Sequence, residues 1–132
     1  RVPMLVRAPG VIKEDARGKV CSSPVEWSDA GPTIVDLIGG KFSYKQFAKS
    51  LTPTLKDPTI LHREEAISEI GGEYMVMTEN WKLCVNDRKA PYALFDRKND
   101  PNEQKNQVND QAYQNTVENM MNRLKKRIES CR

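Results

Sequence analysis

The chain has 132 residues and a formal net charge of +3, from 21 Lys and Arg against 18 Asp and Glu with its single His neutral. This length suits one ordinary domain. No run approaches the roughly 18 apolar residues of a membrane-spanning helix, and three cysteines are too few for a disulfide scaffold. The charge is too small to indicate a nucleic-acid partner. We therefore expect a globular chain that binds neither a membrane nor nucleic acid.

The chain opens on a short apolar run. Residues 2–6 predict a strand, because the run is closed by the turn sequence Ala-Pro-Gly at residues 8–10. Residues 11–19 are polar and predict a loop, and residues 20–25 predict an extended segment. A natural gene product rarely begins within a strand. The opening run therefore indicates a piece of a longer protein or a trimmed chain.

A short helix follows the extended segment. Ser28 or Asp29 is placed to cap it, and the pair of glycines at residues 39–40 is placed to stop it. Its apolar side chains, Ile34, Leu37 and Ile38, predict one face. Residues 41–58 read as irregular, with at most one helical turn at residues 51–55.

The second half has the clearest pattern. Four short apolar runs separated by turn residues predict an antiparallel meander, with strands at residues 66–70, 74–78, 81–86 and 92–96. Residues 97–109 are polar and predict a surface loop. A long helix follows, which Asn109 or Asp110 is placed to cap. One apolar stripe at steps of three and four residues defines it: Tyr113, Val117, Met120, Met121, Leu124 and Ile128. The predicted fold class is α+β, a four-stranded antiparallel sheet packed by a long C-terminal helix.

The cysteines do not predict a nucleophile. A catalytic thiolate needs a base or a positive field, and the only histidine, His62, is remote in sequence from Cys21. We expect Cys21 to be a small structural residue, Cys84 to be a buried core residue, and Cys131 to lie at the frayed chain end. A disulfide between any two of them stays open.

Other candidate sites have ordinary structural explanations. The oxygen-rich segment at residues 96–103 suggests calcium, but it lacks the glycine and the final glutamate of an EF-hand loop, so a solvated turn with Asx caps is preferred. His62 is expected on the surface, with a place in a pocket as the alternative. The basic end of the last helix is expected to be a solvated face. We assign no catalytic, cofactor-binding or metal residue in this chain.

Five segments in order resemble one known family. Residues 1–13, 23–37, 63–69, 75–83 and 94–106 are similar to the motifs of the formylglycine-dependent sulfatases, the arylsulfatase-like members of the alkaline-phosphatase-like superfamily. Each motif alone is weak. Their order and spacing hold along nearly the whole chain, so the chain is identified as the C-terminal portion of a sulfatase.

The resemblance implies a function for the whole enzyme. Sulfatases hydrolyse sulfate esters with a formylglycine made from a C/S-x-P-x-R motif and with a divalent metal, usually calcium, and in the family layout both precede this chain. Residues 1–60 would be the edge of the large α/β domain, a strand and a helix left over from it. Residues 61–132 would be the small C-terminal subdomain. We expect the chain to be inactive alone and to help shape the substrate cleft beside the missing N-terminal catalytic domain.

The sequence leaves alternatives for the substrate and for the function. The substrate is a sulfated small molecule or a carbohydrate, and family habit places such enzymes in the periplasm or outside the cell. The alternative function is a stand-alone, non-catalytic binding module. A phosphoryl-transfer enzyme of the wider superfamily is disfavoured by the Asp-Pro-x-Glu turn at residues 100–103. Severed from a larger domain, Trp27, Ile34, Leu37 and Ile38 are expected to form an exposed apolar face.

Overall fold

The computed structural model describes residues 3–44 and 46–130. By its internal contacts the chain forms two compact units. Unit 1 consists of residues 1–23 and 27–62, and unit 2 consists of residues 24–26 and 63–132. The short segment at residues 24–26 therefore belongs with the second unit, although it lies within the sequence of the first.

Unit 1 is built from short helical pieces and irregular chain. Its elements are the 3₁₀ turns Glu14–Ala16 and Trp27–Asp29, the helix α1 at Ala30–Leu37 and the helix α2 at Thr52–Lys56. The predicted strand at residues 2–6 is wrong for the described residues 3–6, which have no regular secondary structure, while residue 2 lies outside the described residues. A strand exists only when a neighbouring strand pairs with its backbone. No described segment of this chain provides that pairing.

Helix α1 ends as its glycines predict. The Gly40 N–H donates to Val35 O at 2.8 Å and the Gly39 N–H donates to Asp36 O at 3.0 Å. This pair of bonds is the Schellman motif, which needs a left-handed residue after the helix, and Gly39 supplies it with φ +76°. At the N-terminal end of α1, the predicted side-chain cap by Asp29 is wrong. Asp29 is the N-cap residue of α1, but its side chain makes no capping bond, because it is bonded elsewhere.

Unit 2 contains the predicted meander. Its strands are β1 at Glu65–Ile70, β2 at Glu73–Thr78, β3 at Trp81–Val85 and β4 at Pro91–Asp96. They pair antiparallel in sequence order. The link between β1 and β2 consists of Gly71 and Gly72 alone, with φ of +58° and +84°. A two-residue turn with two positive φ angles matches the twist of the strands, and glycine adopts that conformation without strain.

One face of the sheet carries the core. Side chains alternate along a strand, so one set faces the last helix, α3 at Gln114–Ser130, which follows the 3₁₀ turn Gln111–Tyr113. The Asp110 carboxylate accepts the Ala112 N–H at 2.9 Å, as one of the two predicted caps. The buried cluster contains seven residues: Val76, Leu83, Val85, Leu94, Val117, Met120 and Leu124. The three other members of the predicted helix stripe, Tyr113, Met121 and Ile128, pack against it.

The expectation for Cys84 is corrected by the same alternation. Leu83 and Val85 point into the core and are fully buried. Cys84 lies between them in β3, so its side chain faces the other side of the sheet, where it is only partly buried. Apolar neighbours in the sequence predicted burial, but the strand period places those neighbours on the opposite face.

Candidate functional site

Unit 1 is organised around one buried carboxylate. The side chain of Asp29 is fully buried, and that of His62 is 4% exposed. The His62 imidazole donates from Nε2 to Oδ2 of Asp29 at 2.9 Å, and the Lys49 N–H donates to Oδ1 at 2.8 Å. Both carboxylate oxygens therefore have partners, as a buried charge requires. We call Ser23, Asp29, Thr33, Lys49 and His62 the Asp29 network.

The other members extend this network along the chain. The Thr33 hydroxyl donates to the Asp29 carbonyl oxygen at 2.6 Å and accepts the Leu51 N–H at 2.8 Å. The Ser23 hydroxyl accepts the His62 N–H at 2.9 Å. Ser23, Asp29 and Thr33 are three of the polar positions of the sulfatase-like segment at residues 23–37. That motif therefore has a structural explanation, since its side chains join segments that are remote in sequence.

The expectation that His62 lies on the surface is wrong. An imidazole oriented by a carboxylate is the arrangement of a general base, so the pair requires a chemical assessment. A catalytic base must reach a substrate, and here both partners are buried. The Ser23 hydroxyl accepts the backbone N–H of His62. The Asp29–His62 pair is therefore a structural hydrogen-bonded pair of unit 1.

The acidic loop, residues 96–106, carries the second polar cluster. The Asp96 carboxylate accepts the N–H groups of Lys98 and Asn99 at 3.1 and 3.0 Å and the Asn99 side-chain amide at 2.7 Å. The hydrogen bond from the Asn99 side chain, followed by the one from its backbone, lowers the pKa of Asp96 below its usual value. Asp100 accepts the Lys105 N–H at 2.8 Å. These are the predicted Asx bonds, although Asp96 itself is buried rather than solvated.

Asn106 closes the exposed edge of the sheet. Its carbonyl oxygen accepts the Leu94 N–H at 3.0 Å, and its amide donates to the Tyr92 carbonyl oxygen at 3.0 Å. The Gln107 N–H donates to the Leu94 carbonyl oxygen at 2.8 Å. Strand β4 is the last strand of the sheet, and unpaired edge groups invite pairing with other chains. The acidic loop therefore satisfies part of this edge within the chain.

The acidic loop does not have the chemistry of a calcium site. Calcium takes six to eight oxygen ligands that converge on one point. Here the oxygens of Asp96, Asp100 and Asn106 accept N–H groups, and Glu103 pairs with Lys82 at 2.5 Å. Over residues 3–44 and 46–130, no group of three or more His, Cys, Asp or Glu is placed to hold a metal ion. These residues therefore do not fit the calcium that the family implies.

Unit 2 contains a largely buried ion cluster around Glu26. Its carboxylate lies 2.8 Å from Nη2 of Arg127 and 3.6 Å from Nη2 of Arg63, and it accepts the Ile67 N–H at 3.1 Å. The Arg63 side chain is buried as well. Burying these charges is tolerable only because they are paired. This cluster explains why residues 24–26 belong to unit 2.

The basic end of the last helix is only partly the solvated face that was expected, because two of its arginines pair with carboxylates. Arg127 joins the Glu26 cluster, and Arg123 contacts the carboxylates of Glu64 and Glu65. The hydrogen bond to Glu65 raises the pKa of Arg123 above its usual value. Lys125 and Lys126 are exposed, as expected. The helix period explains the division, because positions 123 and 127 lie one turn apart on the side that faces the acidic partners.

The described cysteines give no reactive centre. Cys21 and Cys84 are both free thiols. Burial raises the pKa of the Cys84 thiol, so the protonated form predominates at neutral pH and the group is a weak nucleophile. Cys131 lies outside the described residues.

The polar clusters thus stabilise the fold of each unit. Sequence reasoning did not identify Asp29, His62 or Glu26 as cluster members. The available signal was the position of Ser23, Asp29 and Thr33 within one motif segment, which marks them without giving a role. In the described part of the chain, no helix is long and apolar enough to cross a membrane.

Comparison with known proteins gives the family. The model of the family "N-sulphoglucosamine sulphohydrolase, C-terminal" matches residues 1–130, almost the whole chain. The chain belongs to this sulfatase family. The four-stranded antiparallel sheet with its C-terminal helix is therefore a sulfatase C-terminal fold, which confirms the fold class expected from the sequence.

Individual relatives agree with this family. An arylsulfatase from Clostridium perfringens is 26% identical over 137 residues, which are 98% of this chain and 28% of that protein. A solved structure of a complex with its substrate D-glucosamine-2-N,6-O-disulfate superposes with a TM-score of 0.64 at 24% identity. The superposition covers 76% of this sulfatase chain and 23% of the chain in the solved structure.

A third relative covers a similar part. The structure of a 2-O GAG sulfatase superposes with a TM-score of 0.62 at 26% identity, over 75% of this chain and 23% of that one. The sulfatase chain described here therefore spans about a quarter of the length of the proteins that it matches.

Proposed function

We propose that this chain is the C-terminal part of a sulfate-ester hydrolase and has no catalytic activity by itself. The family match over residues 1–130 supports the reaction class. The coverage of only 28% of the arylsulfatase supports a larger whole, in which an N-terminal part carries the reaction. The formylglycine and the calcium expected from the resemblance belong to that preceding part in this proposal.

The internal bonding of the polar clusters supports the inactivity of the chain. The Asp29 network uses both oxygens of its carboxylate, and the Glu26 cluster pairs its carboxylate with two guanidinium groups. Groups held in this way stabilise the fold and have little capacity left for a substrate. In the proposal, unit 2 therefore contributes shape beside the substrate cleft, while the bond-breaking groups come from elsewhere.

The substrate class proposed is a sulfated carbohydrate or an aryl sulfate. The first follows the N-sulphoglucosamine sulphohydrolase family and the 2-O GAG sulfatase, and the second follows the arylsulfatase of Clostridium perfringens. Both classes present a sulfate ester, so one chemistry covers them.

The test is a chromogenic aryl-sulfate assay, run beside sulfate release from a sulfated glucosamine. The purified 132-residue chain is expected to give no turnover above a heat-inactivated sample, and its Cys21→Ser variant is expected to behave identically. The complete polypeptide, expressed from the reading frame that contains this chain, is expected to hydrolyse at least one of the two substrates. Turnover by the purified chain that Cys21→Ser abolishes would place a catalytic centre inside these residues and overturn the inactivity.

A further inference from the structure

The outward face of the sheet in unit 2 brings three sulfur side chains together. Val76 and Leu83 point into the core, so the residues that alternate with them face away from α3. Met75 and Cys84 are among these residues, and they lie directly opposite each other in the pairing of β2 with β3. Met77 is two residues further along β2 and is therefore on the same face. We call Met75, Met77 and Cys84 the sulfur cluster.

The backbone spacing allows the three sulfur atoms to reach one point. Directly opposite residues of an antiparallel pair have Cβ atoms about 4.5–5.5 Å apart, and diagonal neighbours are about 7–8 Å apart. Residues two apart on one strand are separated by about 6.6 Å. Methionine has three rotatable side-chain bonds, so Met75 and Met77 can both turn their sulfur atoms toward that of Cys84. All three side chains are partly buried, so the cluster is accessible from solvent without being fully hydrated.

The outer strands leave room around the sulfur cluster. Ala66 of β1 is paired with Met77, and Ala93 of β4 is paired with Cys84. Both alanines are buried, so the immediate surroundings of the cluster are apolar. Their side chains are short, and a long flexible methionine fits the space that they leave.

A polar contact borders the cluster beside Cys84. The register of β3 with β4 shifts between Cys84 and Val85, and Tyr92 is left without a partner in that pairing. The Tyr92 hydroxyl donates to Oε2 of Glu73 at 3.2 Å. Because Glu73 belongs to β2 and Tyr92 to β4, this hydrogen bond passes over β3. The cluster therefore has a wall at this end.

The cation nearest to the cluster is already paired. Lys82 lies opposite Met77 in the pairing of β2 with β3. Its ammonium group contacts Glu103 of the acidic loop at 2.5 Å and lies 5.7 Å from the ring centre of Phe95 on β4. The side chain therefore extends toward β4, away from β2. Its charge is balanced by Glu103, so it is a weak obstacle to a second cation.

We propose that the sulfur cluster binds Cu(I), held by the thiolate of Cys84 and by the thioether sulfurs of Met75 and Met77. Thiolate and thioether ligands select Cu(I) among the biological metals. On binding, a bond forms between Cu(I) and the sulfur of Cys84, the S–H bond of that thiol breaks, and the proton leaves to solvent. No electron is transferred. One monovalent cation and one thiolate give a neutral site, which suits a partly buried face.

The ligand set also excludes the harder metals. Zinc and calcium bind through histidine, carboxylate and carbonyl groups or through several thiolates. Among the described residues, no three His, Cys, Asp or Glu are placed together for such an ion. The copper site is independent of sulfate-ester hydrolysis, because the sulfur cluster has no part in the function proposed above.

The test is an anaerobic titration of the 132-residue chain with Cu(I), in competition with a chromogenic Cu(I) chelator. The parent for all variants carries Cys21→Ser and Cys131→Ser, so Cys84 is the one thiol that remains of the three in the sequence. Circular dichroism before the titration checks that each variant retains its secondary structure. X-ray absorption of the loaded parent identifies the atoms bound to the metal.

Three variants remove one ligand each, and a fourth is the control. Cys84→Ser removes the thiolate, and Met75→Leu and Met77→Leu remove one thioether each while conserving side-chain volume. Met121→Leu is the matched control, because Met121 belongs to α3 and packs against the core on the other side of the sheet.

The parent is expected to bind one Cu(I), with three sulfur neighbours and no nitrogen or oxygen neighbour. Cys84→Ser should weaken the affinity about 100-fold or more, and each of Met75→Leu and Met77→Leu should weaken it about tenfold. Met121→Leu should change the affinity by less than about twofold. Zinc at the same concentration should not displace the copper.

Contrary results overturn the site. A parent that leaves all of the Cu(I) on the chelator has no copper site. If Met75→Leu and Met77→Leu both bind like Met121→Leu, Cys84 acts as a single thiol and the cluster is not a site. Displacement by zinc would show a different ligand set. If Cys84→Ser fails to fold, the two methionine variants decide the outcome by themselves.

Discussion

At the scale of single residues, the carboxylate of Asp29 has the largest influence on unit 1. It lies at the start of a helix, where a carboxylate normally caps the free N–H groups, but it accepts from His62 and from the Lys49 backbone instead. Local sequence predicts a cap because the capping rule concerns the next three residues. The partner actually used is 33 positions away, so the Asp29–His62 pair could not be predicted from local pattern.

Removing His62 tests the structural assignment of this pair. We expect His62→Ala to lower the free energy of unfolding by about 2–4 kcal/mol, because it leaves a buried carboxylate without one of its partners. The control is Glu14→Gln, which removes an exposed ion pair to Arg17 and should change stability by less than about 0.5 kcal/mol. Urea unfolding followed by circular dichroism measures both. Equal effects for the two variants would contradict the assignment.

Asp96 predicts a pH dependence for unit 2. Hydrogen bonds from Asn99 lower its pKa in the folded state, so the carboxylate stabilises the fold above its unfolded pKa of about 3.9 and this stabilisation is lost as the pH falls through the folded pKa. We expect wild type to have a higher urea midpoint than Asp96→Asn near neutral pH, and the gap to narrow below about pH 4. A gap that is constant across this range would show that ionised Asp96 contributes nothing.

At the scale of elements, the strands and the long helix of unit 2 could largely be predicted from the sequence. The alternation of apolar residues, the Gly71-Gly72 turn and the three- and four-residue spacing of the α3 stripe are all local signals, and the structure confirms the elements that they predict. In unit 1, by contrast, the opening run at residues 3–6 has the local pattern of a strand but forms none. A strand depends on a neighbour, whereas the backbone bonds of a helix lie within its own segment.

The closure of β4 is a testable property of the acidic loop. Asn106→Ala removes the acceptor of the Leu94 N–H and the donor to Tyr92, and should cost about 1–2 kcal/mol. Asn106→Asp retains an acceptor and should cost less, and Asn102→Ala, at an exposed position in the same loop, should cost almost nothing. Hydrogen exchange of the Leu94 amide should accelerate in Asn106→Ala. Unchanged Leu94 exchange in that variant would contradict the closure.

At the scale of the whole molecule, exposed apolar surface is the main feature. The predicted exposed face of Trp27, Ile34, Leu37 and Ile38 is confirmed, and other large apolar side chains in unit 1, among them Leu5 and Val20, are exposed as well. Monomeric soluble proteins rarely leave a contiguous apolar patch of this kind uncovered. The assignment of residues 1–60 to the edge of a larger domain, and of 61–132 to a small subdomain, stays a prediction that suits this exposure.

The 132-residue chain is expected to self-associate. Its apolar side chains gain free energy when they leave water, and a second copy is the only apolar partner in a purified sample. Light scattering across a dilution series should show a mass above that of the monomer which falls on dilution. A monodisperse monomer at all concentrations would contradict this expectation.

The sequence by itself determined the elements of unit 2, a cap at Asn109 or Asp110, the ends set by glycine and, through its ordered motifs, the family. These signals act within a few residues or within the period of one element. Only the tertiary structure decided that Asp29 pairs with His62 and that Glu26 pairs with Arg127, 101 positions away. Such a pair forms only where the fold brings both partners together, because a polar group that is buried alone loses its hydration without compensation. That condition depends on the assembled chain, and no local pattern of residues records it.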